Sequence, residues 1–460
     1  MAMGKRKPRQ ESLFIATDRL TPSAGHPFYQ KLNALLAEAD FDRWIERRCV
    51  GYYEQEEKRG QPSVPPGVYF RMLLVGYFEG LDSQRGIAWR CADSLSLRQF
   101  LGVPLDEGTP DHSTMTVTRK RLPPEVFDEV FRFVLRIAAA KKLLVGKTVG
   151  VDSTTLEANA AMKSIVRRDT GEDWKAYVTR LMREDGVIGP EEQPSDEDIR
   201  RFDKKRKGKT VSNAEWKSTT DEDARITAMK DGTTHLAYKA EHVVDLASDL
   251  VLAAEIHPAD HADTATLADS LVAAQLHLQA AVGQATIEEA AADKGYHAVA
   301  TIELCDFLDV RTYIPEPKRA HPLTLSDKPE SHRRAVRNLR RRMKRAKGKR
   351  LQRRRSEVVE RTFAHICETG GSRRSHLRGL VNVTKRYLMA AAAHNLGRIL
   401  RRLTGIGKPR VLQGHGGLAA LAQRLAALLR IAWVTLADRF GRRVIVFQGF
   451  ENYGAVGLVV

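Results

Sequence analysis

The chain has 460 residues, with 75 Lys or Arg against 57 Asp or Glu, a net charge of +18 and a pI near 9.8. Charged residues at 29% and hydrophobic ones at 42% are globular proportions, which excludes wholesale disorder, and the length suits roughly two to four domains. Four cysteines (Cys49, Cys91, Cys305, Cys367) without a C-x-x-C pair exclude a disulfide scaffold, a zinc finger and an iron–sulfur protein, and point to a reducing cytoplasm. The basic opening residues lack an apolar segment, so no signal peptide is expected, and no apolar run reaches the roughly 18 residues of a spanning helix. So basic a chain favours polyanions, nucleic acid first.

Residues 1–24 read as a flexible basic lead. From about His26 to Leu122 the pattern is helical: Phe28, Leu32, Leu35 and Leu36 recur at helical spacing, as do Met72 and Leu73 after a Pro65–Pro66 start. Past Gly108–Asp111, Ser113 and Thr114 are expected to cap a short helix carrying Arg119, Lys120 and Arg121, three cations suited to phosphate. Near Lys147 the texture changes to a β-branched run, Thr148–Val151, that delivers Asp152. Residues 163–222 turn polar and charged and read as an insertion or a long loop with few apolar anchors. Strands are predicted at 235–245 and 250–256, a helix at 264–281, a strand leading to Asp293, a helix near 302–308 and a strand at 311–314. Strands alternating with helices imply an α/β layer architecture. Between Arg333 and Arg355 stand 14 Lys or Arg and no acid; so dense a run repels itself as an isolated helix and calls for a polyanion or disorder. Helices are predicted again at 356–367 and 385–403. A leucine stripe at 418–436 suits a subunit contact or ordinary packing.

Three carboxylates stand out. Asp152 lies on the strand entering the α/β region, and Asp293 precedes Gly295, whose conformational freedom permits a tight turn. On the helix after the basic run, Val359, Phe363 and Ile366 form a core stripe; Glu360 falls at its border and Glu357 on the solvent side, so Glu360 is the better third acid. Three converging carboxylates repel one another unless cations neutralise them, and hard oxygen donors are what Mg²⁺ prefers. Two such ions, about 3.5–4 Å apart, can activate a water or a 3′-hydroxyl for in-line phosphoryl displacement. His257 and His261, with Asp260 nearby, offer a competing zinc reading that Pro258 disfavours; His242 and His394 read as packed histidines.

The strings Val149-Gly150-Val151-Asp152-Ser153-Thr154, Thr220-Asp221-Glu222-Asp223-Ala224-Arg225, Tyr238–Asp245, Ala292-Asp293-Lys294-Gly295-Tyr296 and Val358-Val359-Glu360-Arg361-Thr362-Phe363 occur in the order found in bacterial insertion-sequence DDE transposases, and the chain resembles that family over about residues 25–405. Leu97–Gly102 with Pro110–Thr114 is similar to its helical N-terminal domain, and Arg378-Gly379 with Ala393–Leu396 to its C-terminal helices. The resemblance implies an α/β RNase H-like catalytic core with an insertion, preceded by an all-α N-terminal domain and followed by C-terminal helices. The corresponding boundaries are a 25–140 DNA-binding domain, a 145–405 catalytic domain with its 163–222 insertion and 333–355 basic arm, and a 406–460 extension, either an accessory segment or the product of a shifted reading frame.

Carried over by position, Asp152, Asp293 and Glu360 are the implied catalytic acids and ligands of two Mg²⁺ ions, with Mn²⁺ able to substitute. Where related groups place a Tyr, an Arg and a Lys around the glutamate, this chain has Arg353, Ser356 and Cys367, so Arg355, Arg361 and Lys294 are taken as substitutes. Expected phosphate contacts are Arg119, Lys120, Arg121, Lys294, Arg340, Arg341, Arg342, Lys344, Arg345, Arg353, Arg354, Arg355 and Arg361. The implied partners are terminal inverted repeats, target DNA and a second subunit, with no membrane, in a bacterial cytoplasm and on the nucleoid when DNA is bound. A non-catalytic DNA-binding protein and a structure-selective nuclease with the same core remain open at this point.

Overall fold

The computed structural model describes residues 25–53, 63–207, 211–229, 232–318, 326 and 328–412. The expectations for the 1–24 lead, the 418–436 stripe and the end of the chain lie outside them.

Among the described residues seven helices precede the first strand: α1 (Pro27–Glu38), α2 (Phe41–Cys49), α3 (Pro66–Glu79), α4 (Gln84–Ala92), α5 (Leu95–Leu101), α6 (His112–Arg121) and α7 (Pro124–Ala140). Their starts follow local chemistry. A proline opens α1, α3 and α7, where its fixed φ suits a first turn. Ser83 and Ser94 cap α4 and α5 by accepting from the amides of Gly86 and Leu97. The cap of α6 is Asp111, which accepts from the amide of His112, and not the expected Ser113 or Thr114. The carboxylate wins because it also takes the Ser113 hydroxyl, removing that competitor. The stripe Phe28, Leu32, Leu35 and Leu36 is buried as its spacing requires. Arg71, itself buried, makes a two-pronged bond to Asp42 (2.7 and 3.0 Å) and donates to the Phe100 carbonyl, which ties α2, α3 and α5 together.

The core sheet has six strands: β1 (Thr148–Glu157), β4 (Arg225–Ala228), β5 (Thr234–Asp245), β6 (Val251–Pro258), β7 (Glu289–Ala291) and β8 (Arg311–Tyr313). The spatial order is β6-β5-β1-β7-β8, with β4 beside the first half of β5 on the β6 edge. β1, β5 and β6 run antiparallel; β7 and β8 join β1 in parallel, as the intervening helices α10 (Asp263–Val282) and α11 (Val299–Phe307) require. On one face α10 packs against β5 and β6. On the other lie α13 (Ala346–Phe363) and α14 (Leu380–Thr404); α7 packs on both α10 and α14 and so joins the N-terminal helices to the core. This mixed sheet between helices is the RNase H-like α/β core.

Two expectations need correction. The 163–222 stretch is no long loop: it folds into a β2 (Ile165–Arg167) and β3 (Trp216–Ser218) ribbon and helices α8 (Trp174–Glu184) and α9 (Asp196–Lys205). Its few apolar residues suffice because they converge: Val178, Met182 and Ile199 pack with Trp174, Tyr177, Ile188 and Phe202. Arg167, Arg180 and Arg206 lie over the Tyr177 ring, so cations serve as part of the packing. The basic run is likewise helical, forming α12 (Glu330–Lys344) and the start of α13. Self-repulsion is relieved locally: Glu330 pairs Arg333 and Arg337, Glu316 pairs Arg340, Glu289 pairs Lys347, and Arg342 donates to the Thr312 carbonyl. Meanwhile Ala335, Val336 and Leu339 anchor the inner side of α12.

Candidate active site

β1 is the central strand, and it carries Asp152. The parallel ladder pairs Thr148, Val149 and Gly150 with Glu289, Ala290 and Ala291. Asp152 and Asp293 each follow the last of these pairs by two residues, so the register sets both at one level, Asp152 midway along β1 and Asp293 just past the carboxyl end of β7. That is the end at which open α/β sheets place their chemistry. Asp293 turns the chain: its side chain accepts from the Gly295 amide at 2.7 Å.

α13 crosses β1 closely. Gly150 lets it do so, since an added Cβ there would lie 2.9 Å from Val359 Cγ2 and 3.0 Å from Arg355 Cγ. Arg355, one step along that contact, is buried and donates from Nη1 to Asp152 Oδ2 at 2.7 Å. On the same side His242, the cross-strand partner of Asp152, is enclosed by Thr362, Phe363 and Tyr387. Burial pushes its pKa down to about 3, so it is a neutral packing and hydrogen-bonding residue, as expected.

Glu360 lies about 140° around α13 from Arg355 at 100° per residue, on the flank that also carries Gln352. Gln352 donates to the carbonyls of Ala292 and Tyr313, so this flank is the one turned toward β7, β8 and the Asp293 turn. Glu360 is exposed and accepts from Ser356 Oγ at 2.6 Å. It therefore stands outside the core border on which the sequence set it. Glu357, on the far flank, pairs with Arg354 and Arg361. The structure brings Asp152 and Asp293 to one level of the sheet and hangs Glu360 on the helix above; it does not draw the three together.

The opposite side of the same strands holds residues that sequence reasoning missed. Ser153 Oγ donates to Asp263 Oδ1 at 2.9 Å, and Lys239 Nζ donates to the same oxygen at 2.9 Å. Lys239 also reaches Thr266, which donates to Glu241 Oε2 at 2.8 Å; Tyr296 donates to that oxygen at 2.8 Å. A signal did exist: a Lys and a Glu two residues apart on a strand share a face, and a strand otherwise as apolar as Leu236–Val244 has little reason to carry both outward.

The expected phosphate contacts divide. Arg354, Arg361 and Arg398 surround Asp249, which sits at positive φ in the β5–β6 turn, so the first two are structural ion pairs. Arg340 and Arg342 are engaged with Glu316 and Thr312, Arg341 bonds Asn338, and Arg355 holds Asp152. In α6, Arg119 turns inward, with Nε and Nη1 buried and its carbonyl accepting from Lys385, while Arg121 stacks on Tyr53; Lys120 is exposed. Lys294 is exposed beside Asp293. Lys344, Arg345 and Arg353 are exposed and form no side-chain ion pair or hydrogen bond among the described residues. The same holds for Lys349 and Arg350, which were not among the expected contacts. On α13, Lys349, Arg353, Ser356 and Glu360 follow at steps of four, three and four, a single stripe.

The zinc reading fails on geometry. His257 belongs to β6 and His261 to the following turn, Asp260 pairs with Arg225, and burial lowers the His257 pKa to about 4 without any third donor converging. His394 bonds Tyr77 rather than its neighbour Asn395, which instead clamps the backbone of Val251. The four cysteines are free and buried, and burial pushes the thiols up to about 11–12, so none is a nucleophile.

Three carboxylates are the donor chemistry that suits a hard divalent cation. In this arrangement, however, no three His, Cys, Asp or Glu side chains among the described residues lie close enough to hold a metal ion, and a guanidinium occupies the Asp152 carboxylate. The donors fit the ion; their present spacing does not yet enclose it.

Comparison with protein families gives two matches. Residues 16–121 match a transposase domain (DUF772), and residues 198–396, which contain Asp293 and Glu360, match the transposase DDE domain. No curated protein matches, and no solved structure does. With a helical transposase domain followed by a DDE domain on an RNase H-like core, the chain belongs to the insertion-sequence DDE transposases.

Proposed function

We propose that this transposase binds the terminal inverted repeats of its own element and catalyses Mg²⁺-dependent strand cleavage and strand transfer, with Asp152, Asp293 and Glu360 as its acids. The observation that carries the reading is the level placement of Asp152 on β1 and of Asp293 just past the adjacent parallel strand β7, under a helix that bears Glu360. Two Mg²⁺ ions held there would supply Lewis-acid activation of the attacking oxygen and neutralise the leaving one. The chain's own residues have the remaining work. Lys344, Arg345, Lys349, Arg350 and Arg353 offer unpaired charge to a DNA backbone, and the α13 stripe leads phosphates toward Ser356 and Glu360. Lys294 serves the same end beside Asp293. Arg355 gives Asp152 a counter-charge until a cation replaces it. Joining two element ends asks for at least two subunits, so the active form is a homodimer or larger, working in the cytoplasm on nucleoid DNA.

The test is cleavage of end-labelled DNA carrying the element's inverted repeat, in Mg²⁺ or Ca²⁺, by the wild type and Glu360→Ala. Nicking at the repeat boundary in Mg²⁺ alone, lost by at least about a hundredfold in the variant while gel-shift binding persists, is the expected result. Binding without cleavage in any metal would leave an end-binding protein; cutting of branched DNA that lacks repeats would leave a structure-selective nuclease.

A further inference from the structure

The ladder between β1 and β7 ends at Gly150 and Ala291, two residues short of the proposed acids. Beyond it no strand pairing joins Asp152 to Asp293, and they belong to segments far apart in the chain. Their separation has to be set by something else. On the α10 side of the sheet a continuous set of side chains runs from one segment to the other. Ser153, next to Asp152, bonds Asp263, at the first turn of α10; Asp263 bonds Lys239; Lys239 bonds Thr266 at 2.8 Å; Thr266 bonds Glu241; and Glu241 bonds Tyr296, three residues past Asp293. Gly295 closes the gap directly: a Cβ there would lie 2.9 Å from Asp263 Oδ2 and 3.0 Å from Asp293 Oδ1, so the two carboxylates flank one backbone turn.

Lys239 is 5% exposed, Thr266 3%, and Glu241 and Tyr296 are wholly buried. Burying a lysine and a glutamate is costly, and replacing such a pair by apolar groups of like volume is often neutral or stabilising. Glu241 Oε1 also has no partner. An arrangement this expensive stabilises the fold no better than apolar groups of like volume would. What it does add is geometry, because its two terminal links, Ser153–Asp263 and Tyr296–Glu241, end on the segments that carry the two aspartates.

We propose that Lys239, Glu241, Asp263 and Tyr296 are positioning residues: a brace behind the sheet that fixes the spacing of Asp152 and Asp293 for a divalent cation. The inference rests on the reading of those aspartates as catalytic acids. The brace acts through them and need not touch DNA.

The test uses the full chain carrying Tyr296→Phe, which removes one hydroxyl, and Lys239→Met, which keeps the stem and removes the charge. Mn²⁺ binding to the DNA-free protein is measured by calorimetry, with inverted-repeat binding, thermal melting and the Mg²⁺ dependence of cleavage alongside. Both variants are expected to melt cooperatively and to bind the repeat within about twofold of wild type, with Mn²⁺ affinity about tenfold weaker, the usual effect of losing an outer partner of a metal ligand. Excess Mg²⁺ then restores cleavage by Tyr296→Phe, which a merely loosened fold would not allow. Unchanged Mn²⁺ affinity in a folded variant overturns the brace, as does a parallel loss of melting temperature, DNA binding and metal binding. If Asp152→Asn binds Mn²⁺ as wild type does and neither protein cleaves, the functional reading has failed and the brace falls with it; wild-type cleavage with indifferent brace variants sinks the brace alone.

Discussion

Arg355 and Asp152 meet at 2.7 Å in a spot where both side chains are largely shielded, and Arg355 Nε has no partner there. The guanidinium stands where a metal ion would have to approach, so the two compete for one carboxylate. Arg355→Gln should cost on the order of 1–3 kcal/mol in folding stability, because Asp152 loses its counter-charge. It should also tighten Mn²⁺ binding to the DNA-free protein several-fold; equal calorimetric affinities in the two proteins would make Arg355 a strut and nothing more. The candidate acids Asp152 and Asp293 could be picked out at this scale because each sits in a short, glycine-marked context, one on β1 and one just past β7. Lys239, Glu241 and Asp263 could not. Their importance depends on which residues of α10 and of the Asp293 turn face them, and a linear sequence does not display that. Arg354 and Arg361 show the opposite failure: their charge was plain, but Asp249, which absorbs it, lies in a distant turn.

At the level of elements, α13 combines most of the candidate chemistry. Its inner side supplies Val359 and Arg355 to β1, one flank supplies Gln352 to the Asp293 turn, and the outer stripe keeps Lys349 and Arg353 clear of the other described side chains. Replacing both stripe cations with Gln should weaken repeat binding nearly uniformly across sequences. The slope of log K against log salt should fall by about one for each phosphate left without its cation, or about two in all. An unchanged slope in fluorescence anisotropy titrations would move the backbone path elsewhere. The strand and helix order of the core was legible from periodicity, since β5, β6 and α10 alternate or repeat cleanly. The insertion was misread because its apolar residues are sparse along the chain and meet only after α8 and α9 pack. The basic run was misread because the acids that neutralise it, Glu289 and Glu316, come from β7 and from the segment after β8.

Across the whole molecule, α14 joins the core sheet to the N-terminal helices through buried histidines. His242 faces Tyr387, and His394 faces Tyr77 of α3 and the ring of His365. Burial holds His242 down to about 3 and His365 down to about 4, and His394 well below its ordinary value. In the unfolded chain each takes up its proton near pH 6.5. Between that pH and the depressed native values the unfolded state binds more protons, so stability is fully present above about pH 6.5 and declines as pH falls toward 4. The melting temperature should be flat from pH 7 to 8 and drop steadily below 6.5. His242→Asn should melt lower at neutral pH with a shallower acid slope; an acid slope equal to wild type would shift the effect to the other depressed histidines, His257 included.

The three acids of the proposed centre enter the chain in order: the first on the opening strand of the core, the second just past β7, and the third only on α13, after the whole sheet is complete. During synthesis, a chain that stops between the Asp293 turn and α13 already possesses the N-terminal helices and both aspartates, yet lacks the glutamate and the cation stripe beside it. On the proposed reading the ability to break DNA is thus the last property the ribosome confers, and truncated copies of the protein would be spectators that occupy DNA without cutting it.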